Sequence, residues 1–280
     1  MIKAATIAGS DASGGAGLEA DLKTFEEYGV YGMTAVTLIA TMDPHNNWAH
    51  AVFPLEEKVL RAQLETIFTG VGPDAVKTGM LGSSYAIELS REYIRSKNCA
   101  YVLDPVMVCK GAGEALHPEL NRDIEQKLLP LCTIVTPNLF EASQLAGVGE
   151  IKTTEQMEKA ARIIADKGAK NVFIKGGSKL ASFAGSSVAA DLLYDGVSAE
   201  FIERPLIKTE WTHGAGCTVA AAITAGLARS LSVRDAVLLA KKFIEASLNA
   251  SFPLNRWVGP GNPSAWRGTT LFDSQFDSNT

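Results

Sequence analysis

The 280-residue chain has only 4 cysteines, at positions 99, 109, 132 and 217, without a Cys-x-x-Cys spacing or a paired histidine. The spacing therefore suggests neither a zinc site nor a small disulfide framework, and the usage fits reduced thiols and a cytoplasmic location. Positive charge is not in excess. Against 26 Lys and Arg stand 31 Asp and Glu, a net charge of −5, so neither nucleic acid nor an acidic membrane surface is expected as a partner. Long apolar runs are missing as well: 35–41 and 219–227 fall far short of the roughly 20 residues a spanning helix needs. The first apolar run, Met1 to Ser10, passes at once into a Gly-rich turn and lacks the longer core of a signal peptide. No Gly-Lys dipeptide occurs anywhere, which excludes a Walker A phosphate loop.

What the chain does have is apolar substance, 46% hydrophobic against 20% charged residues, enough for a large core and incompatible with general disorder. Short β-branched runs alternate with helical patterns, the signature of an α/β fold with a mainly parallel sheet. The strands are predicted at 4–8, 34–41, 75–78, 101–104, 133–136, 171–174, 189–194 and 200–204. Their nearly continuous apolar character predicts burial on both faces under helices. Leu18, Leu22 and Phe25, with Glu19, Glu26 and Glu27 opposite, mark one such amphipathic helix. Asp195-Gly196 predicts an antiparallel hairpin between the last two strands, and helices over 216–229 and 234–250 close a single domain, 1–258. From Gly259 onward periodicity gives way to Gly, Pro, Ser, Thr and Asn, which predicts a mobile end over 259–280.

Three clusters carry possible chemistry. Thr212-His213-Gly214-Ala215-Gly216-Cys217-Thr218 is a Gly-rich turn entering a helix, where free backbone N–H groups and the helix dipole suit an anion. The bland alternative is a tight turn and nothing more. Asp104-Pro105-Val106-Met107 and Pro137-Asn138-Leu139-Phe140-Glu141 each end a predicted strand, the side of an open α/β sheet on which ligands bind. Asp104 and Glu141 have the hard oxygens that Mg²⁺ prefers, although each, taken alone, reads more readily as a helix cap or a surface charge.

Taken together and in order, these clusters resemble a known family. Gly9-Ser10-Asp11-Ala12-Ser13-Gly14-Gly15-Ala16-Gly17, Ala20-Asp21-Leu22-Lys23-Thr24, Lys77-Thr78-Gly79-Met80-Leu81, Asp104-Pro105-Val106, Thr136 to Glu141, Lys175-Gly176-Gly177 and Gly214 to Cys217 resemble the ribokinase-like superfamily. More narrowly they resemble its hydroxymethylpyrimidine kinase branch, which includes bacterial pyridoxal kinases. The resemblance runs over about residues 4 to 255 and implies a three-layer fold, a homodimer and an ATP-dependent kinase that phosphorylates a hydroxymethyl group on a heteroaromatic ring.

Residue by residue, the resemblance implies an anion hole at Gly214, Ala215, Gly216 and Cys217, and Mg²⁺ held with ATP by Asp104 and Glu141, mostly through water. It places Asn138, Lys175, Gly176, Gly177, Lys179, Asp191, Gly214 and Lys241 with the nucleotide, and Gly9, Asp11, Met42, Met80, Val106 and Cys109 with the substrate. Where the wider superfamily has Gly-x-Gly-Asp, this chain has Cys217, so the implied catalytic base is a thiolate, with ionisation near neutral pH expected from its place at a helix N-terminus. The pyrimidine kinases of the branch carry Ala-Gln-Asn-Thr after the second strand; this chain has Thr41-Met42-Asp43-Pro44. Met42 cannot make the glutamine's hydrogen bond but can pack on a ring, and with Cys109 in a Gly-rich, Lys-bearing lid it points to pyridoxal, with pyridoxine or pyridoxamine also accepted. A thiamine-pathway pyrimidine kinase is the alternative. A non-catalytic nucleotide or vitamer sensor on the same fold is the other.

Overall fold

The computed structural model describes residues 1–107 and 118–267. The chain begins with β1 (Lys3–Asp11), α1 (Gly17–Glu27), β2 (Tyr31–Asp43), β3 (Ala49–Pro54) and α2 (Glu57–Glu65). It continues through β4 (Ala75–Thr78), α3 (Ser84–Arg95), β5 (Ala100–Leu103), α4 (Pro118–Asp123), β6 (Ile134–Val135), α5 (Leu139–Ala146) and α6 (Thr154–Asp166). It ends with β7 (Val172–Ile174), α7 (Gly177–Ala184), β8 (Val188–Tyr194), β9 (Ala199–Pro205), α8 (Ala215–Ala228) and α9 (Val233–Asn249). Among the described residues the strands form one nine-stranded sheet in the order β3-β2-β1-β4-β5-β6-β7-β8-β9. The run from β2 to β7 is parallel, while β3, β8 and β9 are antiparallel additions at the two ends.

Alternation along the strands sends neighbours to opposite faces. Ala5, Val76, Leu103, Val135 and Val172 join one core with Leu60 and Leu64 of α2, Ile87 of α3 and Met157 of α6. Ala4, Ala75, Val102, Ile134 and Phe173 join the other with Phe25 of α1, Ala221 and Ile223 of α8 and Phe243 of α9. This is the expected three-layer α/β arrangement. Each fully buried Leu, Ile or Phe contributes about 1.5–3 kcal/mol relative to exposure, and the two cores together hold the strand ends in place. Helix α8 is buried over most of its length, with Thr218 to Gly226 all inside; its small side chains let it lie close to the sheet, and Gly226 abuts Ala236 of α9.

Two features differ from the sequence reading. Strand β2 runs on to Asp43 and returns as β3, pairing Met42 with His50 and Ile39 with Phe53. An edge strand of six residues, none of them buried, leaves no apolar alternation to read. The segment after Gly259 is packed as far as the described residues go: Pro260 bridges to His213, and Trp266 stacks on Tyr28 at 6.4 Å between ring centroids. Arg267 completes the docking with a 2.7 Å ion pair to Glu27. Residues 268–280 lie outside the described residues. No described helix is long and apolar enough to cross a membrane.

Candidate active site

The strand order reverses at β1, which has β2 on one side and β4 on the other. A crevice at the carboxyl ends of strands opens at such a point, and here it is a cavity of about 250 Å³. Gly9, Asp11, Met42, Met80, Asp104, Val106, Asn138, Glu141, Lys175, Gly214, Ala215, Gly216 and Cys217 all line it. The clusters at 9–17, 77–81, 104–107, 136–141 and 212–218, scattered over more than two hundred residues, thus meet in one place.

At the head of α8, Gly214 has φ 73° and a side chain there would lie 1.9 Å from the Gly15 carbonyl oxygen, so only glycine fits. The first intrahelical bond is from Thr218 N–H to the Gly214 carbonyl at 2.9 Å. The N–H groups of Gly216 and Cys217 come before it and are left without helical acceptors, the kind of donors that suit an anion. The turn is tied to the β1–α1 loop by His213, whose Nε2 lies 2.7 Å from Asp11 Oδ2. Asp11 also accepts from Ser13 N–H at 2.8 Å and Ala16 N–H at 2.9 Å. Burial raises the Asp11 pKa, but His213 and Ser13 outweigh it and hold the carboxyl below its ordinary value. The sequence reading quoted His213 within its motif without giving it a role, because its partner is 202 residues away.

Glu141 is the helix-capping residue that one of its sequence readings expected, and it also lines the cavity. It is the third residue of α5 in a capping box, accepting from Asn138 N–H at 2.8 Å while its own N–H donates to Asn138 Oδ1 at 2.9 Å, and it faces the cavity. Burial pushes its carboxyl up to about 7, Lys175 opposing and Asp104 adding to the shift. Asp104 is 2% exposed; its Oδ1 accepts from Lys175 Nζ at 3.1 Å and from the Thr136 hydroxyl at 3.2 Å. Burial disfavours the charged Lys175, but Asp104 and Glu141 more than restore it. No group of three or more His, Cys, Asp or Glu able to hold a metal occurs among the described residues. Two carboxylates beside a lysine nonetheless fit an ion such as Mg²⁺, which keeps several waters and takes its other ligands from phosphate.

The expected acidity of Cys217 is corrected by the structure. Burial, first among the causes, pushes the thiol up to about 11; Lys77 and the Gly17 N–H lower it, while Asp104 and Asp21 raise it. A helix N-terminus alone predicts the opposite sign, but the thiol lies in a desolvated floor between carboxylates. The remaining cysteines with described surroundings are packing residues: Cys132 is fully buried and Cys99 packs against the same core. Cys109 lies outside the described residues.

The other residues that the resemblance assigned to the nucleotide, Gly176, Gly177, Lys179, Asp191 and Lys241, are not among those lining the cavity. Gly177 N–H donates to Asp191 Oδ1 at 3.0 Å, and Asp191 Oδ2 meets Lys241 Nζ at 2.6 Å. Gly176 stands at the head of α7 with Ala190 too close behind it to admit a side chain, and Lys179 is exposed, 3.9 Å from Glu150. Lys175, next to this group in sequence, reaches the cavity itself. Two polar cavity residues were given no role in the sequence analysis. His50 stands on β3, opposite Met42, and Lys77 was visible only as a motif letter.

The phosphomethylpyrimidine kinase family model matches residues 11–262. The chain belongs to this family. It is 54% identical over 268 residues to the pyridoxine kinase of Bacillus subtilis strain 168, covering 95% of this chain and 97% of the relative. The ADP complex of Bacillus subtilis pyridoxal kinase superposes with a TM-score of 0.91 at 54% identity, covering 95% and 99% of the two chains. The pyridoxal kinase of Staphylococcus aureus in complex with AMP-PCP and pyridoxal gives a TM-score of 0.90 at 44% identity, with 96% of each chain covered. The fold is ribokinase-like and the chain is a kinase.

Proposed function

We propose that this kinase transfers the γ-phosphoryl group of ATP to the 5′-hydroxymethyl group of pyridoxal, giving ADP and pyridoxal 5′-phosphate, and that pyridoxine and pyridoxamine are also accepted. The observation that carries the reading is the convergence of Cys217, the free N–H groups of α8, Lys175, Asp104 and Glu141 on one cavity. The relatives named above support it, and so does Met42, an apolar lining residue where the pyrimidine kinases carry glutamine. The substrate hydroxyl gives its proton to the Cys217 thiolate as its oxygen bonds to the γ-phosphorus, and the bond from that phosphorus to the ADP oxygen breaks. The N–H groups of Gly216 and Cys217 and the Lys175 ammonium stabilise the charge on the moving phosphoryl group, since such transfer is mainly positioning and electrostatics. Asp104 and Glu141 would hold Mg²⁺, which when bound with ATP neutralises phosphate charge.

ADP release measured side by side with pyridoxal, pyridoxine and hydroxymethylpyrimidine tests the assignment. Turnover of the two B6 vitamers is expected; turnover of the pyrimidine alone would replace it with the thiamine-pathway alternative. A second test concerns Cys109. Its thiol is proposed to add across the aldehyde of pyridoxal, forming a C–S bond and passing the thiol proton to the carbonyl oxygen, a reversible hemithioacetal that restricts the ring. Cys109→Ala is expected to raise KM for pyridoxal while leaving pyridoxine, which has no aldehyde, unchanged. An equal effect on both substrates, or none on either, would return Cys109 to an ordinary loop role.

A further inference from the structure

The wall of the cavity that carries Met42 and His50 projects past its neighbour in the sheet. Pairing of β2 with β1 ends at Ala40, whereas β2 and β3 stay paired as far as Asp43 and Ala49, so 41–51 extends as a two-stranded ribbon with β3 at the edge of the sheet. A ribbon of this kind is marginally stable by itself in water. At its tip Asn47 and Trp48 have φ of 48° and 61°, a left-handed conformation that a bulky side chain keeps only where its surroundings enforce it. Trp48 meets a second ring there. It stacks on Trp257, with centroids 5.5 Å apart and planes 19° from parallel, and its indole Nε1 is buried without a hydrogen-bond partner among the described residues. The ring is held by stacking rather than by a polar contact.

Trp257 is a firm partner. It belongs to a tight loop in which Asn255 Oδ1 accepts from the N–H groups of Trp257 at 2.8 Å and Val258 at 3.0 Å, and Leu254 N–H donates to the Val258 carbonyl at 2.9 Å. The Arg256 guanidinium lies 4.1 Å from the Trp257 ring centroid. Two residues on, the Gly259 carbonyl accepts from His213 N–H at 3.0 Å, and a side chain at 259 would run into the Phe252 carbonyl and the Trp211 ring. One loop thus reaches both walls of the cavity, the ribbon through a ring and the head of α8 through the backbone. We propose that Trp48 and Trp257 are positioning residues of the substrate site: their stack holds the ribbon in place, and with it Met42 and His50, so that a heteroaromatic ring meets a wall already formed. The inference rests on the reading that pyridoxal packs on Met42. Loss of the stack lowers the population of binding-competent enzyme, and apparent affinity falls by the same fraction.

Hydrogen exchange of the substrate-free full chain, read by mass spectrometry on peptides covering 41–51, tests the hold itself. Trp48→Ala and Trp257→Ala are each expected to speed exchange there by about threefold or more, in line with the strength of one aromatic pair, while peptides of α8 keep the parent rate. In steady-state kinetics each variant should raise KM for pyridoxal about three- to tenfold, with kcat and KM for ATP within about twofold of the parent. The Gly259 carbonyl that holds His213 is backbone and survives both changes. The double variant should be no worse than the worse single one, since both changes break the same contact, and Trp257→Phe, which keeps an aromatic face, should stay within about twofold of the parent. Unchanged exchange, a KM for pyridoxal at the parent value, equal rises in the two KM values, or additive losses in the double variant would overturn the proposal. Should Trp257→Ala fail to fold, Trp257→Leu, which keeps apolar bulk without a ring, takes its place under the same criteria. If pyridoxal is not the substrate, the parent enzyme will fail to turn it over, whereas the exchange measurement needs no substrate and still reports on the stack.

Discussion

Cys217→Ala is expected to lower kcat by at least about 10²-fold, the lower end of what general-base catalysis contributes, with ATP affinity near that of the parent enzyme. Cys217 lies in the first turn of α8, and its backbone N–H remains in the variant, so the anion site survives the loss of the side chain. What disappears is the group proposed to take a proton from the incoming hydroxyl. With its thiol pushed up to about 11, Cys217 is mostly protonated at neutral pH, and the thiolate fraction rises about tenfold per pH unit below that value. In the parent enzyme kcat/KM should therefore climb with pH from 7 to 9, and in the variant the climb should vanish along with the rate. Steady-state kinetics across that range, with nucleotide binding by calorimetry, checks both expectations. Turnover within about twofold of the parent would leave Cys217 a packing residue.

Asp104→Asn and Glu141→Gln are each expected to raise the Mg²⁺ concentration for half-maximal rate by about 10–100-fold, the usual cost of losing a group that acts through a metal's bound ligands. The fold should tolerate both changes. Glutamine at the third helical position can still complete the capping box with Asn138, and asparagine at 104 can still accept from Thr136. The two variants differ in what they leave behind. Asp104 is the carboxylate that reaches both lysines, 3.1 Å from Lys175 and 4.0 Å from Lys77, so its loss leaves two largely desolvated cations less neutralised and should cost more stability than Glu141→Gln. Magnesium titrations of initial rate, paired with thermal melts, separate the two effects. If both titrations match the parent, neither carboxylate serves the metal.

Much of the frame was legible because it is local. The βα rhythm set the parallel strands, Asp195-Gly196 marked the β8–β9 turn, and the nearly continuous apolar character of the strands predicted two buried faces. The last two helices fell within one residue of their predicted starts, at Ala215 and Val233, because a Gly-rich turn and Ser232, whose side chain accepts from Asp235 N–H, announce them in sequence. The capping role of Glu141 was foreseeable too, since Asn-x-x-Glu is a capping pattern wherever it falls. Strand β3 was not legible: an exposed edge strand needs no periodic apolar face, and the His50 it delivers to the cavity was missed with it.

By itself, then, the sequence determined which segments become strands and helices, which turns carry free N–H groups, and which motifs belong to a kinase. Local hydrogen-bonding geometry and periodicity act over a few residues and are written there directly. Tertiary structure alone decided the partnerships: His213 with Asp11, Lys77 with Asp21, and the docking of Trp266 on Tyr28, far apart in sequence. It also decided the sign of the Cys217 shift. The helix terminus is a local influence that lowers a thiol pKa, whereas burial and the neighbouring carboxylates come from α1, the end of β5 and the cavity floor. Charge–solvent and charge–charge energies depend on distances in space, and those exist only once the chain has closed on itself.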